Sequence, residues 1–390
     1  MLTLGHPIWA LGAVTIAGLV AAAIARFLPY YRRLADSSAR RLAQLDGLRG
    51  FLAFGVFIHH ASLTHNLLTA NMWAPPPNQL YIYLGRGCVS LFFMASGFLF
   101  WTRAIDKGID AQRLLVSRFW RLMPLYWTTV IVVFGAAGWA THWKLQVDPI
   151  YFRREVAFWL TGGFFTAPTI NGIYAVIFNA GVAWSLLYEW WFYFALPMMA
   201  FFAPWRRFAL GLTAFFVLRH LTPTYFPEYF VGFDVCTGFA FGMLSAYLVR
   251  SVRLCHRMTS RTVAVGVVAV IAAGLVYNQR HPLDPICYEY MSFPLFLAVV
   301  CGNSIWGILT RRWSQLMGHV SYSIYLVHAI VLYFLVNRGL GAQAVQQMTV
   351  QKYWGWMVLA VGPAVVVVSA ITYRFVEAPF LARASLSLKR

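Results

Sequence analysis

Apolar stretches of membrane-spanning length recur along almost the whole of this 390-residue chain. They run roughly over 7–28, 46–65, 85–102, 124–141, 183–203, 207–221, 229–250, 261–278, 290–309, 319–337 and 355–377. A helix that crosses a hydrocarbon core needs about 20 residues; 207–221 is the shortest of the set. Charged residues make up 11% of the chain and hydrophobic ones 60%. Soluble domains carry about 25% charged residues, so much of this surface must face lipid. The expected fold is an all-α polytopic membrane protein with about eleven transmembrane helices. No Lys or Arg precedes the first stretch and it lacks a small-residue cleavage site, so it reads as a retained helix rather than a signal peptide.

A net charge of +19 would suit a nucleic-acid binder, but its distribution points elsewhere, and no nucleic-acid partner is expected. Taking alternate connections as opposite sides of a bilayer segregates the basic residues. One side collects Arg32, Arg33, Arg40, Arg41, the Arg103–Arg121 connection, Arg206, Arg207, Arg250, Arg253, Arg257, Arg261, Arg311, Arg312 and the tail from Arg374. The other has Lys144, Arg153, Arg154, Arg219, Arg280, Arg338 and Lys352. This roughly threefold bias puts the first side in the cytoplasm. The expectation is a bacterial inner-membrane protein with a periplasmic N-terminus and a cytoplasmic C-terminus. Keeping 207–221 as a span preserves the alternation.

The five cysteines show no CxxC or ligand-like spacing, which suggests neither a metal site nor a disulfide framework. No repeat or appended soluble module is visible. The largest connections are 66–84, 103–123 and 142–182. The last contains TGGFFTAPTINGIYAVIFNAG, too apolar for a free loop and too broken by Gly and Pro for a span. It is expected to re-enter or to cap the outer face.

Two ionisable residues interrupt the stretch LDGLRGFLAFGVFIHHASL: Arg49 and His60. Eleven positions at about 100° each return to nearly the same helix flank, about 16 Å further along the axis. Such residues in a span normally face a protein interior, a cavity or a ligand. Arg suits phosphate or carboxylate; His titrates near neutrality and can take a proton from a hydroxyl. With helix 46–65 starting in the cytoplasm, Arg49 is placed near the inner mouth and His60 in the outer half. A purely structural alternative pairs Arg49 with Asp46, one turn back, and gives His60 a helix–helix hydrogen bond. His59 lies about 100° off that face and reads as a packing or supporting residue.

Glu189 is the lone carboxylate of 183–203, among Trp184, Trp190, Trp191, Phe192 and Tyr193. It needs neutralisation or a cation such as Arg49 or protonated His60; Ser185 lies one turn earlier on its face. Arg118 and Arg121 share a helical face at the cytoplasmic end of a span. In SYSIYLVH, Tyr325 and Ser321 precede His328 by three and seven positions and share its face, which suits either a cavity wall or a hydrogen-bond network between helices. Glu377 with Pro379 reads as the structural end of the last helix.

Six stretches, in order, resemble the membrane acyltransferase 3 family: LDGLRG with His60 at the family spacing from Arg49, GCVSLFFMASGFLF (87–100), SRFWRLMPLYW (117–127), WSLLYEWWFYFALP (184–197), MGHVSYSIYLVH (317–328) and RFVEAPF (374–380). Each alone is a weak signature; the ordered set is specific and covers about 42–380. The resemblance implies a ten-helix core, here preceded by an extra helix, giving 1–41 as that helix and a basic linker, 42–380 as the acyltransferase domain and 381–390 as a short basic tail. The carboxy-terminal esterase-like domain that some members carry has no counterpart in this sequence.

The resemblance further implies transfer of an acyl group, acetyl by expectation, from cytoplasmic acyl-CoA to a hydroxyl of a glycan or glycolipid. CoA is a co-substrate and no metal is called for. Arg118, Arg121 and Arg49 are then expected to hold the donor's phosphates, His60 to be the general base, and Glu189 to orient or balance its imidazole. His328, Tyr325, Ser185, Asp46 and His59 would line the site or support it. Two other readings stay open on sequence alone: a proton-coupled transporter of a lipid-linked sugar, with Arg49, His60 and Glu189 as relay, and an acyl relay that feeds a separate periplasmic transferase.

Overall fold

Pro29 makes the first corner, because a proline disfavours helical backbone in the residue before it. The computed structural model describes residues 2–37, 42–164, 169–221, 236–282 and 287–387. Helix α1 (Pro7–Phe27) stops as Leu28 turns extended, and α2 (Pro29–Ser37) sets off anew. α3 (Ala43–Ala70) ends at Asn71 in a left-handed conformation, which Asn tolerates. The Asn78 side chain caps α4 (Gln79–Lys107) by accepting the Leu80 N–H at 2.8 Å, and Asp110 caps α5 (Ala111–Ala140) by accepting that of Arg113 at 2.9 Å. After α6 (Pro149–Leu160) come strands β1 (Thr169–Ile170) and β2 (Ile173–Tyr174), then α7 (Val176–Asn179), α8 (Trp184–Met199), α9 (Arg206–Leu221) and α10 (Cys236–Leu248). The remainder is α11 (Val252–Met258), α12 (Arg261–Arg280), α13 (Tyr288–Val300), α14 (Arg312–His319) and α15 (Ser321–Leu332). α16 (Gly341–Gln347) continues α15; α17 (Val350–Trp356), α18 (Gly362–Thr372) and α19 (Ala378–Ser387) are joined by single π-type segments.

The protein is an all-helical, multi-pass membrane protein, with two two-residue strands as its only sheet among the described residues. Among the described residues, six helices are long and apolar enough to cross a bilayer: α1, α4, α5, α12, and the two continuous rods 321–347 and 350–383. The other five of the eleven expected spans differ for physical reasons. α3 has 28 residues, but Arg49 and its histidines lower its hydropathy. α8 and α9 have 16 residues each, and α10 and α13 have 13. Part of the stretch 229–250, including Asp234, lies outside the described residues.

Polar contacts sort the connections into two ends. At one, Arg312 bonds Asp36 at 2.8 Å, Arg250 bonds Asp106 at 2.6 Å, and Asn303 donates to the Met258 carbonyl at 2.7 Å. At the other, Trp354 donates to the Leu4 carbonyl at 3.0 Å, Gln346 to that of Leu68 at 2.9 Å, and Tyr288 to Gln79 at 2.7 Å. The first set joins connections that the charge pattern assigns to one side, although Arg40 and Arg41 lie outside the described residues. The extra helix α1 is not peripheral. It turns a ridge of Ala10, Ala13, Ala17, Ala21 and Ala25 onto α14 and α18, while Leu11 and Leu19 remain 68% and 61% exposed. Small side chains let helices approach closely where lipid supplies no hydrophobic drive.

The segment 142–182 folds as α6, a hairpin and α7. The turn Asn171–Gly172, with φ of 51° and 81°, matches the two-residue hairpin turn that Asn-Gly favours. Buried Glu155 accepts the Asn171 N–H at 2.8 Å and the Thr169 hydroxyl.

Candidate active site

Two glycines set where Arg49 sits. Gly47 on α3 lies against the Leu309 carbonyl, and Gly318 at the end of α14 lies against that of Asp46, so close that a Cβ at either would overlap the opposing oxygen. This contact seats the first turn of α3 deep in the bundle. Arg49 then enters a cavity of about 330 Å³, near the lower limit for small-molecule sites.

Three guanidinium groups, from Arg49 on α3 and from Arg118 and Arg121 on α5, line that cavity together with Glu189 of α8. All three act electrostatically on the Glu189 carboxyl, so the lining sets three guanidinium groups around one acidic side chain. Glu189 is fixed by Ser96, whose hydroxyl donates to Oε1 at 3.3 Å, and by Tyr193, whose hydroxyl donates to Oε2 at 3.4 Å. Asp46 lies 4.0 Å from Arg49 at the edge of the site. The Arg118 guanidinium rests over the Phe100 ring at 5.0 Å and the Tyr193 ring at 6.0 Å, and its Nε, like the Ser321 hydroxyl in the same wall, is buried without a hydrogen-bond partner. Unsatisfied buried donors in a cavity wall mark places where a ligand's acceptors fit. A second, wider recess of about 660 Å³ shares Leu99 with the first and adds Arg103 and Lys107.

The deep end of the cavity is closed by Tyr325 and Ser185, whose hydroxyls lie 2.8 Å apart; the Tyr325 hydroxyl also donates to the Val182 carbonyl at 3.2 Å. Past Tyr325, with ring centroids 6.3 Å apart, lies His328. His328 Nε2 is 2.9 Å from His60 Nδ1, and the two rings are nearly parallel. Trp73, from the connection after α3, covers His60 with centroids 6.1 Å apart.

The predicted residues thus fall into two adjoining groups. Arg49, Arg118, Arg121, Glu189, Ser185 and Tyr325 meet in one cavity, with Asp46 at its edge. His60 and His328 form a pair behind its inner wall, and His59 points away, donating from Nδ1 to the Tyr81 carbonyl at 2.7 Å. One expected partnership is replaced: the group in contact with His60 is His328, whereas Glu189 is held by Ser96 and Tyr193 among the arginines. The reason is azimuth. Glu189 projects from α8 toward α5, while α15 packs along α3 and delivers His328. Sequence reasoning also missed Ser96 as a carboxylate partner, Tyr193 and Trp73. Tyr193 stands four positions after Glu189, a usable signal; Ser96 and Trp73 had none.

A helical membrane protein with a cationic internal cavity backed by a histidine pair, His328 fully buried and His60 partly so, is suited to bringing an anionic substrate to a proton acceptor. Residues 42–374 match the acyltransferase domain that defines the acyltransferase 3 family, and the chain belongs to that family. It is similar to Nodulation protein 10 of Rhizobium leguminosarum bv. viciae, 24% identical over 387 residues that cover 91% of this chain and 98% of the relative. No solved structure matches it. The protein is accordingly a multi-pass membrane acyltransferase.

Proposed function

We propose that this protein moves an acyl group, acetyl in the first instance, from cytoplasmic acyl-CoA to a hydroxyl of a glycan or glycolipid at the bacterial inner membrane. The observation that carries the reading is the cavity in which three arginines surround one carboxylate and whose deep wall abuts His60 and His328. Guanidinium forks suit phosphate oxygens. The donor's diphosphate rests among the three guanidinium groups of the 330 Å³ cavity with the acyl-bearing arm reaching toward Tyr325, while its nucleotide end occupies the wider recess by Arg103 and Lys107.

Glu189 offsets part of the excess cation charge and orients Arg118 through Tyr193. His60 accepts the proton of the acceptor hydroxyl, whose oxygen attacks the thioester carbonyl; general-base assistance of this kind contributes about 10²–10⁴-fold. Tyr325 and Ser185 stand between thioester and imidazole, so their side chains must turn aside as the donor enters.

Membranes containing the protein, incubated with acyl-labelled acetyl-CoA, should deliver label to glycan or glycolipid, and His60→Ala membranes at matched expression should not. Label retained on the protein would instead indicate a relay to a separate transferase. No transfer with acetyl, succinyl or longer donors would favour transport.

A further inference from the structure

The contacts of the histidine pair specify where its protons lie. His328 Nδ1 is 2.9 Å from the carbonyl oxygen of Ile324, one turn earlier on α15. A carbonyl only accepts, so Nδ1 carries the proton. His328 is fully buried beside Phe57 and Tyr325, and the Tyr325 hydroxyl is spent on Ser185 and Val182. With no carboxylate against it, an imidazolium there would be an unpaired buried charge. His328 is therefore neutral and its Nε2 is bare. That bare nitrogen lies 2.9 Å from His60 Nδ1, and two lone pairs at this distance repel. His60 Nδ1 must carry a proton and donate it, which leaves the lone pair of His60 on Nε2. His59, the other titratable neighbour, has its own Nδ1–H committed to Tyr81.

We infer that His328 is a positioning residue that locks His60 in the Nδ1–H tautomer and so presents Nε2 as the one nitrogen able to take a proton. The inference rests on the proposed role of His60 as general base. The His60 ring lies nearly parallel to those of His328 and Trp73, at 15° and 21°, as an in-plane hydrogen bond to His328 requires, and these neighbours hold it in that orientation. The proton balance closes. The acceptor O–H proton passes to His60 Nε2 as the oxygen–carbonyl bond forms. The thioester C–S bond then breaks, the same proton goes to the departing thiolate, and His60 returns to its starting tautomer. While the imidazolium exists, its Nδ1–H bond to His328 is charge-assisted and stronger. A neutral ring thus fills the place that a carboxylate holds in a Ser-His-Asp triad, where losing the correct tautomer costs about 10⁴ in kcat.

The test is the ring-nitrogen NMR spectrum of ¹⁵N-histidine-labelled protein in lipid nanodiscs, with the His60 signals assigned by their loss in His60→Ala. A protonated Nδ1 and a bare Nε2 on His60, redistributed in His328→Leu, are expected; a protonated Nε2 in the unaltered protein overturns the inference whatever the enzyme does. In acetyl transfer, His328→Leu should lower kcat by about 10- to 100-fold, less than the loss in a carboxylate triad, with the KM for acetyl-CoA unchanged. His328→Gln, whose side-chain carbonyl can accept the same bond, should recover most of that loss. An inactive His60→Ala beside a fully active His328→Leu would overturn the positioning role and leave the base in place. An active His60→Ala would overturn the base itself, and the spectrum would still decide the tautomer.

Discussion

Replacing Gly318 by Ala should disturb the site without touching any of its polar groups. The new Cβ would overlap the carbonyl oxygen of Asp46 and lie 2.6 Å from its carbonyl carbon, where ordinary contact begins at 3.4 Å. Both neighbours are backbone, so no side chain can swing aside. In a close-packed interior α14 and α3 must separate by roughly 1 Å. Overpacking of this kind costs about 1–3 kcal/mol. Arg49 stands one turn beyond Asp46 on α3 and moves with it, and a misplacement of about 1 Å can lower a rate by about 10²-fold. The assay is thermal unfolding of the detergent-solubilised protein together with acetyl transfer in membranes. Gly266→Ala is the control: Gly266 lies within α12, and a Cβ there meets nothing within 4 Å, so it should be neutral or stabilise by up to about 1 kcal/mol. Gly318→Ala indistinguishable from Gly266→Ala in both readouts would refute the reasoning; lost stability with full transfer would refute the link to Arg49.

Other expectations follow from the same contacts. Arg118→Ala removes a half-buried cation whose Nε is an unmet donor, and charge-assisted hydrogen bonds are worth about 1.5–3 kcal/mol; the KM for acetyl-CoA should rise about 10- to 100-fold with kcat nearly unchanged. Ala17→Leu, at a fully buried position of the α1 ridge, should destabilise by about 1–3 kcal/mol, whereas Leu19→Ala, largely exposed on the opposite side, should leave unfolding unchanged. Glu155→Gln places an amide where two donors point and should weaken the 169–174 hairpin by about 1–3 kcal/mol, read as faster amide exchange at Asn171. Arg250→Ala breaks an exposed ion pair with Asp106 and should alter stability by no more than about 1 kcal/mol.

The helical membrane class was legible because it depends on length and hydropathy, which are local. α1 could be drawn from sequence within a residue or so, whereas for α4 and α5 only the apolar parts, 85–102 and 124–141, were readable, because both helices run on into polar flanks. α10 and α13 could not be drawn, because each is only 13 residues long and α10 is buried along most of its length. The hairpin had a readable signal, Thr-Ile-Asn-Gly-Ile-Tyr, hidden in a segment judged by its overall apolarity. At the site, residue chemistry was legible and pairing was not. A lone carboxylate among aromatics had to meet cations, but which cations depends on how α8 is rotated against α5. The shared face of Ser321, Tyr325 and His328 was equally readable. That Ser321 and Tyr325 border the cavity while His328 stands behind it depends on the packing of α15 against α3. The glycines of LDGLRG carried no readable signal; their role in seating Arg49 requires the Leu309 and Met317 backbone, more than 250 positions away in sequence.

The most direct test of the donor site is an equilibrium titration of the purified protein in nanodiscs with acetyl-CoA. The unaltered protein and His60→Ala should bind it alike, and the Arg118→Ala, Arg121→Ala double variant should lose most of its affinity. Undiminished binding by the arginine variant, or binding abolished by His60→Ala alone, would contradict the placement of the donor in this cavity.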